Sequence, residues 1–74
     1  MRRFTDREGR RWEVVPGRES WGTLVALFIP VAPGPEIRQA PLTASGYELA
    51  EAELDRMGEA GLQELLDGSH PKTL

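Results

Sequence analysis

The stretch Leu24-Val25-Ala26-Leu27-Phe28-Ile29 is the longest uninterrupted apolar run in the chain, and the remainder reads as cover for it. Six apolar residues in a row fit a buried strand or a fragment of buried helix, and periodicity alone does not separate the two. The flanks do. Pro30 closes the run, with Pro33 and Pro35 behind it, and Gly22 and Thr23 open it. Proline lacks an amide hydrogen and breaks a helix within a turn, while Val25, Phe28 and Ile29 suit a pleated surface. The run therefore predicts a strand over Trp21–Ile29. Alternation sends Trp21, Thr23, Val25, Leu27 and Ile29 to one face and Leu24, Ala26 and Phe28 to the other. Both faces are apolar, so both need covering.

Working outward toward the N-terminus, Arg2–Thr5 reads as a short strand, Asp6-Arg7-Glu8-Gly9 as a turn, and Arg10–Val15 as the returning strand. Phe4, Trp12 and Val14 form the core-facing side of this hairpin, and its arginines line the outer side and the tip. Pro16-Gly17 punctuates the chain and is expected to end the strand. Toward the C-terminus, Pro30–Pro35 is a stiff connection. Glu36–Ala40 then reads as an edge strand, Ile37 pointing inward, stopped by Pro41.

Ser45-Gly46-Tyr47-Glu48 has the spacing of a capping box. After it, Tyr47, Ala50, Leu54, Met57, Gly61 and Leu65 recur at steps of three and four, with Leu62 and Leu66 widening the stripe. Glu48, Glu51, Asp55, Glu59 and Glu64 fall mostly on the other side. This is the pattern of an amphipathic helix. Gly58 and Gly61 each weaken a helix by about 1 kcal/mol relative to Ala. They allow either a close approach to the sheet or a break, and the continuous helix is the favoured expectation. Gly68 is the natural stop.

The fold class expected is α+β: a three- to four-stranded antiparallel sheet, open or barrel-like, with a C-terminal helix packed on it. Residues 1–68 make a single domain and 69–74 a flexible tail. With 74 residues, a chain buries only about 60% of its unfolded surface. Small domains commonly add disulfides, a metal or self-association. The sequence has no cysteine, which excludes disulfides and thiolate zinc sites and is compatible with a reducing cytoplasm. Phe4-Thr5-Asp6-Arg7-Glu8 stands where a secretory signal would have its apolar core. The longest apolar stretch is far short of the roughly 20 residues of a membrane helix. A cytoplasmic protein without membrane contact is the resulting expectation.

Chemistry is sparse. Glu51, Asp55 and Glu59 step along one helix face, but one helix supplies too few ligands for a cation cage, and Arg56 relieves their repulsion. The single histidine, His70, lies in the expected tail with nothing to orient it. Ser20, Ser45 and Ser69 lack the base and orienting group that an activated serine needs. No glycine-rich loop with a lysine joins a strand to a helix. No catalytic residue, metal site or cofactor is expected, and the protein is read as non-enzymatic.

Two surfaces remain. The first is apolar: Trp21, Val25, Leu27 and Ile29 face away from the helix and form a candidate surface for a protein partner or for a second copy in a homodimer. The second is basic. The net charge is −3, yet residues 1–18 hold six arginines against three acids, and the rest of the chain is acidic. Arg2, Arg3, Arg7, Arg10 and Arg11, beside Phe4 and Trp12, make an alternative nucleic-acid surface, although a strong binder is normally net basic.

The opening Phe4-Thr5-Asp6, followed by Gly9-Arg10-Arg11-Trp12-Glu13-Val14, resembles that of a loose group of short uncharacterised bacterial proteins. The group has an aromatic-x-Asp, Gly, Trp-x-Val hairpin. A later Gly-aromatic segment leads into an acidic helix, here Gly46-Tyr47 and Ala52-Glu53-Leu54. The resemblance spans about half of the chain and implies no activity, ligand or site residue.

Overall fold

Apolar on both faces, the central run can be satisfied only by neighbours on each side. A computed structural model describes residues 2–19 and 22–72. In chain order the elements are β1 (Arg2–Thr5), β2 (Arg11–Arg18), β3 (Leu24–Pro30), β4 (Arg38–Pro41), α1 (Tyr47–Asp67) and β5 (His70–Pro71). Among the described residues the strands form one sheet in the order β1-β2-β3-β4-β5. Every pairing is antiparallel. The protein is thus the expected α+β fold, with one more strand than expected and a sheet that stays open instead of closing into a barrel.

Register decides which side chains meet the helix. Arg2, Val14, Phe28 and Arg38 stand in one cross-strand row, and Val15, Leu27 and Gln39 in the next. The first set belongs to the face under α1, where Phe4, Trp12, Val14, Leu24, Ala26, Phe28 and Ala40 pack with Leu42, Ala50, Leu54, Leu62 and Leu66. Phe28 is fully buried. Its ring meets those of Phe4 and Trp12 edge to face, at centroid distances of 6.0 and 6.4 Å, the geometry that the aromatic quadrupole favours.

Several local expectations give way to tertiary context. Strand β2 continues through Pro16 and Gly17, which pair with Ala26 and Val25. Proline is tolerated there because Pro16 lies beyond Arg2↔Val14, the outermost pair of β1 with β2 among the described residues, and so takes no part in that ladder. Gly17 leaves room for its neighbour: a Cβ at this position would lie 2.6 Å from Leu27 Cδ1, and the Leu27 side chain would have to move. Ile37 precedes β4 and is 41% exposed instead of inward. Tyr47 is likewise exposed, not part of the buried stripe. The Arg18 guanidinium stands 5.2 Å from its ring centroid, in cation–π range. The capping box does not form. Gly46 is the N-cap, with extended backbone and no side-chain cap, so Ser45 stands one residue too early.

The continuous helix is also overturned. Gly58 has φ 65° and ψ −176°, which divides α1 into two helical segments. Ala50 and Leu54 on the first segment and Leu62 and Leu66 on the second all reach the core. Gly61 serves the same bend, because a Cβ there would come within 2.7 Å of Met57 Cβ.

The expected tail is structured over Ser69–Lys72. His70 pairs with Gln39 and Pro71 with Arg38, and the Lys72 amide donates to the Ile37 carbonyl at 2.8 Å. Ser69 is buried. Its hydroxyl donates to the Leu66 carbonyl at 2.6 Å and accepts from Arg38 Nε at 2.8 Å. Arg38 Nη2 donates to the Ser69 carbonyl at 2.7 Å. The last turn of α1 has no basic residue of its own, so Arg38 brings a positive charge from the sheet to the negative end of the helix dipole.

Candidate interaction surface

The hairpin turn is built around one carboxylate. Asp6 Oδ1 accepts from the amides of Glu8 and Arg10, each at 2.9 Å, and Oδ2 accepts from the Trp12 indole Nε1–H at 2.9 Å. Gly9 closes the turn at φ 85°, a conformation for which glycine carries no Cβ penalty. Burial of the Asp6 carboxyl opposes ionisation. The hydrogen bonds from Trp12 and from the Arg10 and Glu8 amides outweigh it and hold the group below the usual aspartate range. Both carboxylate oxygens are occupied by the chain's own donors, so Asp6 is a structural anchor for Trp12. The spacing aromatic-x-Asp, Gly, Trp in the sequence is the imprint of this network.

Beside the turn lies a crevice of about 220 Å³ lined by Asp6, Arg7, Trp12, Arg38, Gln63 and Asp67 among others. Its charges are largely spoken for. Arg7 donates to both oxygens of Asp67 at 2.9 and 2.8 Å, and its amide donates to Gln63 Oε1 at 2.8 Å. The Arg7 guanidinium holds the Asp67 carboxyl below its ordinary range. His70 lies on the exposed strand β5. Among the described residues no three His, Cys, Asp or Glu side chains gather as metal ligands would.

The arginines of the alternative nucleic-acid surface do not share a face. Arg2, expected on the outer side, lies on the helix side with its side chain 15% exposed. It donates to Asp55 Oδ1 at 3.0 and 2.7 Å and to Glu51 Oε2 at 3.1 Å. Arg3 pairs with Glu13 at 3.6 Å, Arg7 with Asp67 at 2.8 Å and Arg10 with Glu8 at 3.5 Å. Arg11 is exposed and has no ionic partner among the described residues.

The face of the sheet opposite α1 carries the apolar candidates. Trp21 lies outside the described residues. Val25 is only 5% exposed, so it contributes less open surface than its position suggests. Leu27 and Ile29 are half-buried, and so is Val15, a residue the sequence reading left out. It belongs with them because it pairs directly with Leu27. That pairing follows from β2 running on past Val15, which no local signal announced. Leu27 lies over the bare backbone of Gly17. Glu13 stands opposite Ile29, and Gln39 opposite Leu27. A groove of about 350 Å³ adjoins this face, between the turn at Gly9–Arg11 and the loop Pro30–Pro35. The Val31 amide links the two sides by donating to the Arg11 carbonyl at 3.0 Å.

Gln39 sits in this face with its side-chain carbonyl oxygen buried and no donor to it among the described residues. An unsatisfied buried acceptor costs about 1–3 kcal/mol. Gln39→Met removes it while keeping the length of the side chain. The variant is expected to gain about 1 kcal/mol, raising the melting temperature by about 4–8 °C. A thermal melt followed by circular dichroism checks this. A lower melting temperature would mean that the oxygen has a donor after all.

These features define a class by architecture alone: a small antiparallel meander covered by a bent helix on one face. No family model matches the chain, and no curated protein or solved structure is significantly similar to it. Among the described residues no helix is long and apolar enough to cross a membrane.

Proposed function

We propose that this protein is a non-enzymatic interaction module of the cytoplasm that binds a protein partner through the face of its sheet opposite α1. The observation that carries the reading is the cluster Val15, Leu27 and Ile29, half-buried on that face, while the helix packs on the other. Clustered apolar side chains on an outer face are the usual mark of a protein contact. The ionisable groups supply no rival. Asp6, Arg2 and Arg7 are consumed by contacts within the chain, and such pairing leaves the arginine hairpin little charge to spend on a phosphate backbone.

An environment-sensitive apolar dye tests the reading at submicromolar protein. Fluorescence is expected to rise on mixing, to fall back with Leu27→Lys, and to be unaffected by Glu59→Lys on the helix. No rise with the parent protein, or no loss with Leu27→Lys, removes the reading. The nucleic-acid alternative is tested by salt titration. Binding through arginines weakens steeply with salt, and absence of binding to duplex or single-stranded probes at low salt disposes of it.

A further inference from the structure

The outer face is not uniformly apolar along its strands, and the order of its charges is informative. On β2 the residues that alternate onto this face are Arg11, Glu13, Val15 and Gly17. The ladder extends one pair beyond the strand, since the Glu19 amide donates to the Thr23 carbonyl at 2.8 Å, so alternation adds Glu19 to the row. Val15 is the centre. Arg11 stands four residues to one side and Glu19 four to the other, each about 13 Å away at the rise of an extended strand. Glu13, by contrast, is already held by Arg3 at 3.6 Å. Neither Arg11 nor Glu19 has an ionic partner among the described residues. A cation and an anion, neither with an ionic partner among the described residues, thus flank an apolar centre at equal distances on the same face.

Resting on the reading of this face as a protein-binding surface, we propose that its partner is a second copy of the chain. The two sheets meet face to face about a two-fold axis at Val15 and Leu27, with their β2 strands antiparallel across the interface. Such an axis places Arg11 of each copy beside Glu19 of the other, so one surface supplies both members of two ion pairs. On β3 the same axis sets Leu27 against Leu27, and Ile29 against Val25, apolar on apolar. Glu13 faces the position of Gly17, over which Leu27 lies, and keeps Arg3 as its ionic partner. Isologous contacts of this kind are the commonest closed assembly, and aligned sheets pack about 10 Å apart, within reach of a long Arg and Glu.

Sedimentation velocity of the intact protein, its Arg11→Glu and Glu19→Arg variants, and an equimolar mixture of the two provides the test. The parent is expected to sediment as a dimer of the 8.2 kDa chain. Each variant alone brings like charges together at both ends of the interface, and its dissociation constant is expected to weaken by about tenfold or more. The mixture restores opposite charges at both ends and is expected to recover the parent's affinity as a heterodimer. All three proteins should share one circular dichroism spectrum. A single-chain mass for the parent across the concentration range overturns the self-pairing, as does a mixture no tighter than its components. If the parent is a single chain yet the apolar dye still reports Leu27, the binding face stands and only the choice of partner has failed. If neither dimer nor dye signal is seen, both readings fall together.

Discussion

Asp6→Ala is expected to lower folding stability by about 3 kcal/mol, because it leaves the buried Trp12 indole N–H and two turn amides without their acceptor. All three bonds are 2.9 Å long and converge on one carboxylate. Trp12 is 2% exposed and packs edge-on against Phe28, so its indole N–H is almost wholly withdrawn from solvent and depends on Asp6 for an acceptor. Asp6→Asn separates charge from shape. Its amide oxygen can serve the two backbone donors, but the amide nitrogen would then meet the indole donor with another donor. The carboxylate also imposes a pH dependence. Its folded pKa is depressed, so its contribution is fully present above the unfolded aspartate value of about 3.9. It is lost as pH falls below that value toward the folded pKa. Chemical denaturation at pH 7 and pH 3 should show a smaller acid loss in Asp6→Asn than in the parent. Equal losses would mean that other carboxylates dominate the acid limb.

The second large effect is Gly58→Ala, where the sign itself discriminates. In an unbroken helix this change stabilises by about 1 kcal/mol. At φ 65° and ψ −176° the backbone occupies a region that is essentially glycine-only, and a side chain there costs about 1–3 kcal/mol. A loss of about 2 kcal/mol is therefore expected, lowering the melting temperature by about 10 °C. A gain would mean that α1 runs straight through Gly58. Gly61→Ala is a companion measurement with a different cause, the 2.7 Å approach to Met57 Cβ. The first variant tests the dihedral angle and the second the closeness of the two segments.

The elements that local chemistry could determine were legible. Proline on one flank and a mixed β-branched and aromatic composition make Leu24–Ile29 a strand. The turn residues Asp6 to Gly9 make a hairpin of β1 and β2, and the three-four spacing of Ala50, Leu54, Leu62 and Leu66 makes a buried helix face. Phe4, Trp12 and Val14 were readable as core from alternation alone. Those signals act within a few residues, so they survive translation from sequence to structure.

What only the tertiary structure decided depends on neighbours distant in the chain. Pro16 and Gly17 look like a strand end until β3 is seen pairing with both and Leu27 is seen occupying the space over Gly17. Ser69–Pro71 look like a tail until Arg38, 31 residues away from Ser69, draws them onto β4. Gly58 is compatible with a straight helix until two apolar sets must reach one curved core. The arginine-rich opening reads as a basic surface until Glu51, Asp55 and Asp67, more than 45 residues away, close on Arg2 and Arg7. The role of Val15 and the symmetric placement of Arg11 and Glu19 depend on how far β2 extends. Composition and local propensity choose elements, whereas register, the course of a bend and the partner of a charge are set by whichever distant segment offers the lowest free energy of burial.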